Sequence, residues 1–355
     1  MISKAPGRIC LFGDHQDYLE LPIIACAINR YITIKGTPNN TDTFVIKMPD
    51  LGEEERIRFR ESDLIPTKGA HLKTALYVVQ QYGCIPTQGY DITIQGDIPI
   101  NAGLSSSSAM VVAWIQWLFT TFGCDPIITP EFIGQVAYEA EVVAQKAPGG
   151  KMDQYTSAIG DTIYLETDAS SNYRKIACSL KGLIVGESGI AKNTVGVLGD
   201  IKGKSLEAIA FIEKATPSFD LATATLDDYY AYKAILPDEL HPFFYAAIQN
   251  HLITQEAFFA LSETEIDYKH LGALLNAHHD VLKNTLQITV PVIDAMITAA
   301  LEAGAYGAKI VGSGGGGCIC AIAPLEKQQD VINAIQNSGA KNAYTIQLSQ
   351  GAHIL

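Results

Sequence analysis

The segment from Gly96 to Ala109 constrains the fold more than any other part of the chain. It reads GDIPINAGLSSSSA, follows a β-rich run and opens an apolar helix. Small residues let a backbone pass close to a ligand, and a helix start offers unpaired N–H groups at the positive end of its dipole. The segment therefore predicts an anion site between a strand and a helix. A serine-capped helix after an ordinary turn is the alternative that these residues leave open.

The serine run at 105–108 is longer than a single helix cap requires. Its hydroxyls can bond a phosphate or ligate Mg²⁺. No Gly-Lys-Ser or Gly-Lys-Thr follows, so the loop is not of the Walker type. If it binds phosphate, it does so by another design.

Hydrophobic periodicity divides the chain near residue 180, with β-rich runs before that point and mainly helices after it. The predicted strands of the first half are 8–12, 23–28, 31–35, 43–46, 56–59 and 90–94. One long helix is expected from the Thr129 cap to Lys146, and two helices are expected at 239–250 and 253–261. The end of the chain alternates strand, glycine-rich turn, strand, helix and strand. This layout predicts an α+β chain of two domains, 1–180 and 181–355.

The net charge of −13 argues against nucleic acid or an anionic membrane surface as the main partner. It leaves a small-molecule substrate open, including an anionic nucleotide held by backbone N–H groups and a metal ion. Seven scattered cysteines without a C-x-x-C pair predict reduced thiols in a cytoplasmic protein. No apolar run reaches 18 residues and no signal-peptide layout precedes residue 8, so no membrane association is expected. The oligomeric state has no sequence indicator.

A run of four glycines, 314–317, lies between two short apolar strands. A flexible linker is out of place inside a domain, so the run predicts a close approach of backbone to a ligand or to the serine-rich loop. A plain tight hairpin is the alternative.

Two carboxylates flank a Pro-Gly-Gly turn: Glu141 near the end of a helix and Asp153 just after the turn. Together they can face one cleft, where one holds a divalent metal and the other approaches a substrate hydroxyl. Taken singly, Glu141 is a solvated helix residue and Asp153 a helix cap. The functional interpretation depends on their combination with the serine-rich loop.

A turn crowded with polar groups follows the first strand. Arg8 stands at the entrance of the strand, and Asp14, His15 and Asp17 lie within four residues of one another after it. Such a cluster suits recognition of a polyhydroxylated ligand, whereas an exposed polar turn is the alternative. The remaining histidines lack metal-ligand spacing, and no Gly-x-Ser-x-Gly or His-Glu-x-x-His pattern supports a hydrolase or zinc enzyme.

Together these segments resemble the GHMP kinases, whose three motifs match in order at 5–18, 99–109 and 307–318. The resemblance spans nearly the whole chain. It implies an N-terminal domain like domain 2 of ribosomal protein S5 and a ferredoxin-like C-terminal domain. It also implies ATP as phosphate donor and Mg²⁺ as cofactor.

The resemblance assigns roles to individual residues. Asp153 is implied as the catalytic carboxylate and Arg8 as the cation beside it, while Ser107 and Glu141 are implied as Mg²⁺ ligands. The implied triphosphate cradle consists of Pro99, Asn101, Ala102, Gly103, Leu104, Ser105, Ser106, Ser107 and Ser108.

The acceptor is less narrowly implied. The segments 13–18 and 150–154 resemble galactokinase, which implies a sugar C1 hydroxyl as acceptor. The implied substrate contacts are Asp14, His15, Asp17, Gly150, Gly314 and Gly315. The spacing from His15 to Pro22 and the segment 21–28 resemble mevalonate kinases instead, so a kinase of that type is the alternative. A non-catalytic sugar and nucleotide sensor is a third hypothesis, disfavoured by the retained Arg8, Glu141 and Asp153.

Overall fold

The computed structural model describes residues 1–59, 65–191, 196 and 198–355. In chain order, the strands of these residues are β1 (Ile2–Phe12), β2 (Ile23–Pro38), β3 (Thr43–Met48), β4 (Glu53–Arg58), β5 (Tyr90–Gly96), β6 (Thr162–Leu165), β7 (Tyr173–Lys175), β8 (Leu183–Glu187), β9 (Gly307–Val311), β10 (Cys318–Ile322), β11 (Asn342–Thr345) and β12 (His353–Ile354).

The α-helices of the same residues are α1 (His71–Gln80), α2 (Ser106–Phe122), α3 (Pro130–Tyr138), α4 (Met152–Ile159), α5 (Gly199–Ala215), α6 (Leu226–Tyr232), α7 (His241–Ser262), α8 (Tyr268–Asp280), α9 (Pro291–Glu302) and α10 (Gln328–Asn337). Two π-helical turns, Glu139–Val143 and Val281–Thr285, follow α3 and α8. Among the described residues, no helix has the length and apolar character needed to cross a membrane.

The strands form two sheets. The first has eight strands in the order β12-β1-β2-β5-β3-β4, with β6 paired to β2 and β7 to β6. The second has four antiparallel strands in the order β11-β8-β10-β9. The mixed helix and sheet architecture is the α+β class predicted from the sequence. A division near residue 180 remains our proposal, and the last strand, β12, returns to pair with β1.

Three predicted elements differ from the structure. β2 is one strand where two were expected, because it is held along its length by β1 on one side and by β6 and then β5 on the other. α7 is one helix where two were expected, since neither Gly nor Pro interrupts it. The helix expected to run from Thr129 to Lys146 ends at Tyr138 and continues as a π-helical turn, although Thr129 caps it as predicted.

The core beneath the first sheet is built around α2, which is apolar on nearly every side and is accordingly buried. Trp114 and Trp117 stack on this helix with 5.4 Å between ring centroids, and Phe44 of β3 meets both rings edge-on. Gly36 of β2 lies directly over Trp117, where an added Cβ would overlap the indole ring. The helix that begins at the serine-rich loop is therefore anchored by large, rigid side chains.

We predict that Gly36→Ala lowers the free energy of unfolding by about 1–3 kcal/mol, because the methyl group overpacks the indole. Urea unfolding followed by tryptophan fluorescence measures the effect. Gly203→Ala is the matched control: it lies on α5 with nothing within 4 Å of an added Cβ. It should be neutral or stabilising by up to about 1 kcal/mol. Equal stabilities of the two variants would contradict this description of the core.

Candidate active site

The serine-rich loop and the glycine turn pack backbone against backbone. A Cβ at Gly103 would lie 2.9 Å from the Val311 carbonyl oxygen, and one at Gly317 would lie 2.9 Å from the Ala102 carbonyl oxygen. Both glycines have positive φ, and so does Ser105 (φ 60°), the residue that precedes α2. The close approach predicted from the glycine run is therefore present, and it joins the first sheet to the second.

Arg8 of β1 ties this loop to Asp153. Its Nε and Nη2 donate to Asp153 Oδ1 at 2.8 and 2.6 Å, and its Nη1 donates to the Gly103 carbonyl oxygen at 2.6 Å. Ser105 Oγ donates to Asp153 Oδ2 at 2.7 Å. Burial alone would lower the pKa of Arg8, but the Asp153 carboxylate outweighs it and the pKa is raised. Asp153, in the first turn of α4, thus forms an ion pair with Arg8.

The π-helical turn after α3 delivers Glu141. Its wider ring of hydrogen bonds, such as Ala144 N–H to the Glu139 carbonyl oxygen at 2.8 Å, inserts one extra residue into the helix. Glu141 is nearly buried and accepts a hydrogen bond from Gln154 Nε2 at 2.6 Å. Glu141 and Asp153 therefore border one cavity although a turn separates them in sequence.

Asp14 is held entirely by protein groups. Its Oδ2 accepts from Lys309 Nζ at 2.5 Å and its Oδ1 from the Gly312 N–H at 2.7 Å, with side-chain exposures of 1% and 0% for Asp14 and Lys309. Burial would raise the pKa of Asp14, but the Lys309 ammonium outweighs it and holds that pKa below its ordinary value. Asp14 thus links the turn after β1 to β9, and its expected role as a sugar contact stays a prediction.

His15 also uses its polar atoms within the protein. Nε2 lies 3.2 Å from the Ser313 carbonyl oxygen, which can only accept, so this nitrogen carries the proton. Nδ1 then accepts from the Tyr18 hydroxyl at 3.1 Å. Burial lowers the pKa of His15 to about 4, so the ring is neutral at pH 7. His15 borders the cavity with both nitrogens engaged, and its sugar contact likewise stays a prediction.

Asp17 differs from its neighbours because no described residue hydrogen-bonds its carboxyl group. Burial, and then the charge of Asp153, raise the pKa of Asp17 to about 7, although Arg8 and Lys202 oppose the shift. Gly150 leaves room for this carboxyl group, since an added Cβ there would overlap it. Within the described part of the chain, Asp17 is thus a carboxyl group without a hydrogen-bond partner, and it borders the same cavity as Asp153.

One cavity of about 430 Å³ gathers most of the predicted site. The predicted residues in its lining are Arg8, Asp14, His15, Asp17, Asn101, Ser107, Ser108, Glu141, Gly150 and Asp153. A smaller apolar pocket of about 190 Å³ adjoins it and shares Asn101 and Ser107 with it. Ser106 lines this second pocket, together with aliphatic residues such as Ile94, Ile100 and Met110.

Some predicted residues lie elsewhere. Pro99 and Ala102 line a larger cavity of about 770 Å³, but neither Arg8 nor Asp153 borders it. Leu104 is fully buried in the core. The structure does not bring Gly314 and Gly315 into the 430 Å³ cavity: the Gly315 N–H donates to the Ile288 carbonyl oxygen at 2.7 Å, and Gly314 packs on the same residue.

Sequence reasoning missed several residues of this site. Gly312 and Ser313 line the cavity in place of the next two glycines, and His71 lines it from the start of α1. Lys309, which pairs with Asp14, could have been noticed as a lone lysine in an apolar strand, a position that requires a buried partner. Nothing in the sequence near His71 distinguishes it from a surface histidine.

Family models match three segments that together cover more than half of the chain. The model for the GHMP kinases N terminal domain matches residues 70–161, and the model for the GHMP kinases C terminal matches 257–341. A galactokinase galactose-binding signature matches residues 1–38.

Relatives with two different names are equally similar to the chain. A mevalonate kinase of Thermococcus sibiricus is 28% identical over 367 residues, which cover 100% of this chain and 98% of the relative. A galactokinase of Mannheimia succiniciproducens is 28% identical over 374 residues, which cover 99% and 94%.

Two solved structures share the fold at 20% identity. Galactokinase of Lactococcus lactis, complexed with galactose, superposes with a TM-score of 0.88 and covers 100% of this chain and 95% of its own. Mevalonate kinase of Methanococcus jannaschii superposes with a TM-score of 0.72 and covers 99% and 98%. The chain therefore belongs to the GHMP kinase family.

Proposed function

We propose that the protein transfers the γ-phosphate of ATP to the C1 hydroxyl of a neutral sugar. The observation that carries the proposal is the pairing of two carboxyl groups in one cavity. Asp153 is paired with Arg8, and Asp17 in the same cavity accepts no hydrogen bond from any residue that the structure describes. The first suits a reacting hydroxyl and the second suits the other hydroxyls of the same molecule.

The nucleotide side of the cavity follows from its chemistry. The apolar pocket lined by Ile94, Ile100 and Met110 suits a flat adenine ring, and it opens at Ser107 toward Asp153. The start of α2 offers N–H groups and a positive dipole end to the phosphates at that point. ATP bound this way would direct its terminal phosphate to the acceptor.

Mg²⁺ is compatible with the residues present. No cluster of three or more His, Cys, Asp or Glu side chains that could enclose a metal exists in the described part of the chain. Mg²⁺ in kinases is usually held by one or two carboxylates and by the substrate phosphates. Glu141 and the Ser107 hydroxyl would therefore be enough ligands from the protein. When bound, the ion would neutralise charge on the phosphates.

Asp153 would orient the acceptor hydroxyl and accept or polarise its proton. Oδ1 accepts two N–H groups of Arg8 and Oδ2 accepts the Ser105 hydroxyl, so both oxygens of the carboxylate are held in a fixed orientation. Arg8 also reaches Gly103 of the phosphate loop, so its positive charge lies between the base and the transferred group. Such fixed charges stabilise the transition state without reorganisation.

The charge of the cavity favours a neutral acceptor. Among its described lining residues, Arg8 is the only lysine or arginine, and it is paired with Asp153. The charge of Asp14 is balanced by Lys309, but Asp17 and Glu141 add further carboxyl groups, so an acidic acceptor would meet like charge. The galactose-binding signature at 1–38 and the likeness to a galactokinase structure support a sugar.

A mevalonate-type acceptor is the second candidate. It is favoured by the equal identity to the Thermococcus sibiricus mevalonate kinase and by the spacing from His15 to Pro22. Mevalonate carries a carboxylate, for which the described lining offers no unpaired lysine or arginine.

We predict ADP release from ATP with at least one neutral monosaccharide and none with mevalonate. A panel of free sugars and mevalonate, assayed for ADP, tests this. Asp153→Asn keeps the shape of the side chain but removes the proton acceptor, so the turnover number should fall at least about a hundredfold. Turnover of mevalonate alone would overturn the sugar proposal, and full activity of Asp153→Asn would overturn the mechanism.

We also predict that Asp17→Asn stabilises the protein at high pH while weakening acceptor binding. The pKa of Asp17 is about 7 in the folded chain against an ordinary 3.8, so the carboxylate destabilises the fold above pH 7 and not below pH 4. Removing the carboxylate should increase the free energy of unfolding at pH 8 by at most about 4 kcal/mol, which is measured as a higher melting temperature. The increase should vanish near pH 4.

The same variant should raise the acceptor KM at least about tenfold and leave the KM for ATP unchanged, since a hydrogen bond to a charged group is lost. Asp227→Asn, at an exposed carboxylate on α6, is the control for the pH series. A pH-independent stability difference for Asp17→Asn would contradict the assignment.

A further inference from the structure

His71 borders the phosphate side of the site and has no role in the chemistry described above. It opens α1 and lines the same cavity as Asn101, Ser107 and Glu141. It does not line the apolar pocket assigned to the base, which meets that cavity only at Asn101 and Ser107. A group on His71 would therefore face the phosphates rather than the adenine ring.

The neighbouring Gln145 has a defined amide orientation. The backbone N–H of Gly69 donates to its Oε1 at 2.8 Å, and its Nε2 donates to the Ala140 carbonyl oxygen at 3.1 Å. A backbone N–H cannot accept and a carbonyl cannot donate, so the reversed amide would lose both bonds. Because Gln145 is buried, losing both bonds would lower the stability of the fold.

This orientation determines which nitrogen of His71 carries the proton. Gln145 Nε2 lies 3.1 Å from His71 Nδ1 and can only donate to it, so Nδ1 accepts. A neutral imidazole that accepts at Nδ1 is protonated at Nε2. No described residue hydrogen-bonds Nε2, so His71 retains a free N–H donor at the edge of the cavity.

We propose that His71 donates this Nε2–H hydrogen bond to a phosphate oxygen of the bound nucleotide, and that Gln145 is the positioning residue that fixes the tautomer. The proposal rests on the ATP-dependent function proposed above. Gln145 follows the π-helical turn that carries Glu141, so one local departure from α-helical geometry places both a metal ligand and the residue that orients His71.

Calorimetric titration of ATP, without acceptor, tests the contact. His71→Phe keeps a ring but removes the donor and should weaken ATP binding about tenfold or more, since a hydrogen bond to a charged phosphate is lost. Gln145→Leu removes the hydrogen bond that fixes the tautomer of His71, and it should weaken ATP binding by a smaller factor. The acceptor KM should not change in either variant. His270→Phe, at a half-exposed histidine on α8, is the matched control and should bind ATP like the wild type.

Two-bond ¹H–¹⁵N correlation spectra of histidine-labelled protein test the tautomer directly. We expect His71 protonated at Nε2 only, a loss of that single pattern in Gln145→Leu, and a shift of the Nε2 resonance when ATP is added. Protonation at Nδ1 in the wild type, or unchanged ATP affinity in a folded His71→Phe variant, would overturn the inference. A parallel loss of acceptor affinity would also overturn it, because it would indicate a structural role.

Failure of the proposed function gives a different result. Wild-type protein that binds no ATP would overturn that function and the phosphate contact together. The tautomer spectra would still decide whether Gln145 orients His71.

Discussion

The ion pair between the buried Arg8 and the partly buried Asp153 is the interaction on which the candidate site depends. A guanidinium that is 2% exposed is tolerated only when its charge and its N–H groups are matched, and Asp153 and the Gly103 carbonyl oxygen match them. The pair therefore brings together the first strand, the serine-rich loop and the start of α4, which are far apart in sequence. The same contacts that satisfy Arg8 fix the orientation of the Asp153 carboxylate, which we propose to face the acceptor.

A second ion pair, between the buried side chains of Asp14 and Lys309, connects the two sheets. It explains why two carboxyl groups of the same turn, Asp14 and Asp17, have different surroundings. Asp14 accepts hydrogen bonds from Lys309 and Gly312, whereas Asp17, three residues later, has no hydrogen-bond partner among the described residues. Asp17 is partly buried, and a partly buried carboxyl group without a hydrogen-bond partner destabilises a folded protein. Substrate hydroxyls that supply the missing hydrogen bonds would account for the position of Asp17 beside Asp153. The Asp17 carboxyl group would then lower the stability of the fold while strengthening acceptor binding.

The fold class and the position of the serine-rich loop between a strand and a helix could be predicted because their signals are local. Runs rich in Ile, Val, Tyr and Thr indicated most strands, and small residues before an apolar helix indicated the loop. The π-helical turn could not be predicted, since one inserted residue leaves helical periodicity almost unchanged over so short a stretch. The different surroundings of Asp14 and Asp17 could not be predicted either. They depend on Lys309, which is distant in sequence and pairs with Asp14 but not with Asp17. The acceptor could not be predicted from similarity either. A relative named mevalonate kinase and one named galactokinase are each 28% identical to the chain.

The position of the transferred phosphate tests the account most directly. The product formed from ATP and the preferred acceptor can be examined by ¹H–³¹P correlation spectroscopy. Transfer to a sugar C1 hydroxyl predicts that the new phosphorus couples to a single anomeric proton. Coupling to the two protons of a CH₂ group, as in a phosphorylated primary alcohol, would contradict the assignment of Asp153 and Asp17 to the two ends of a neutral sugar.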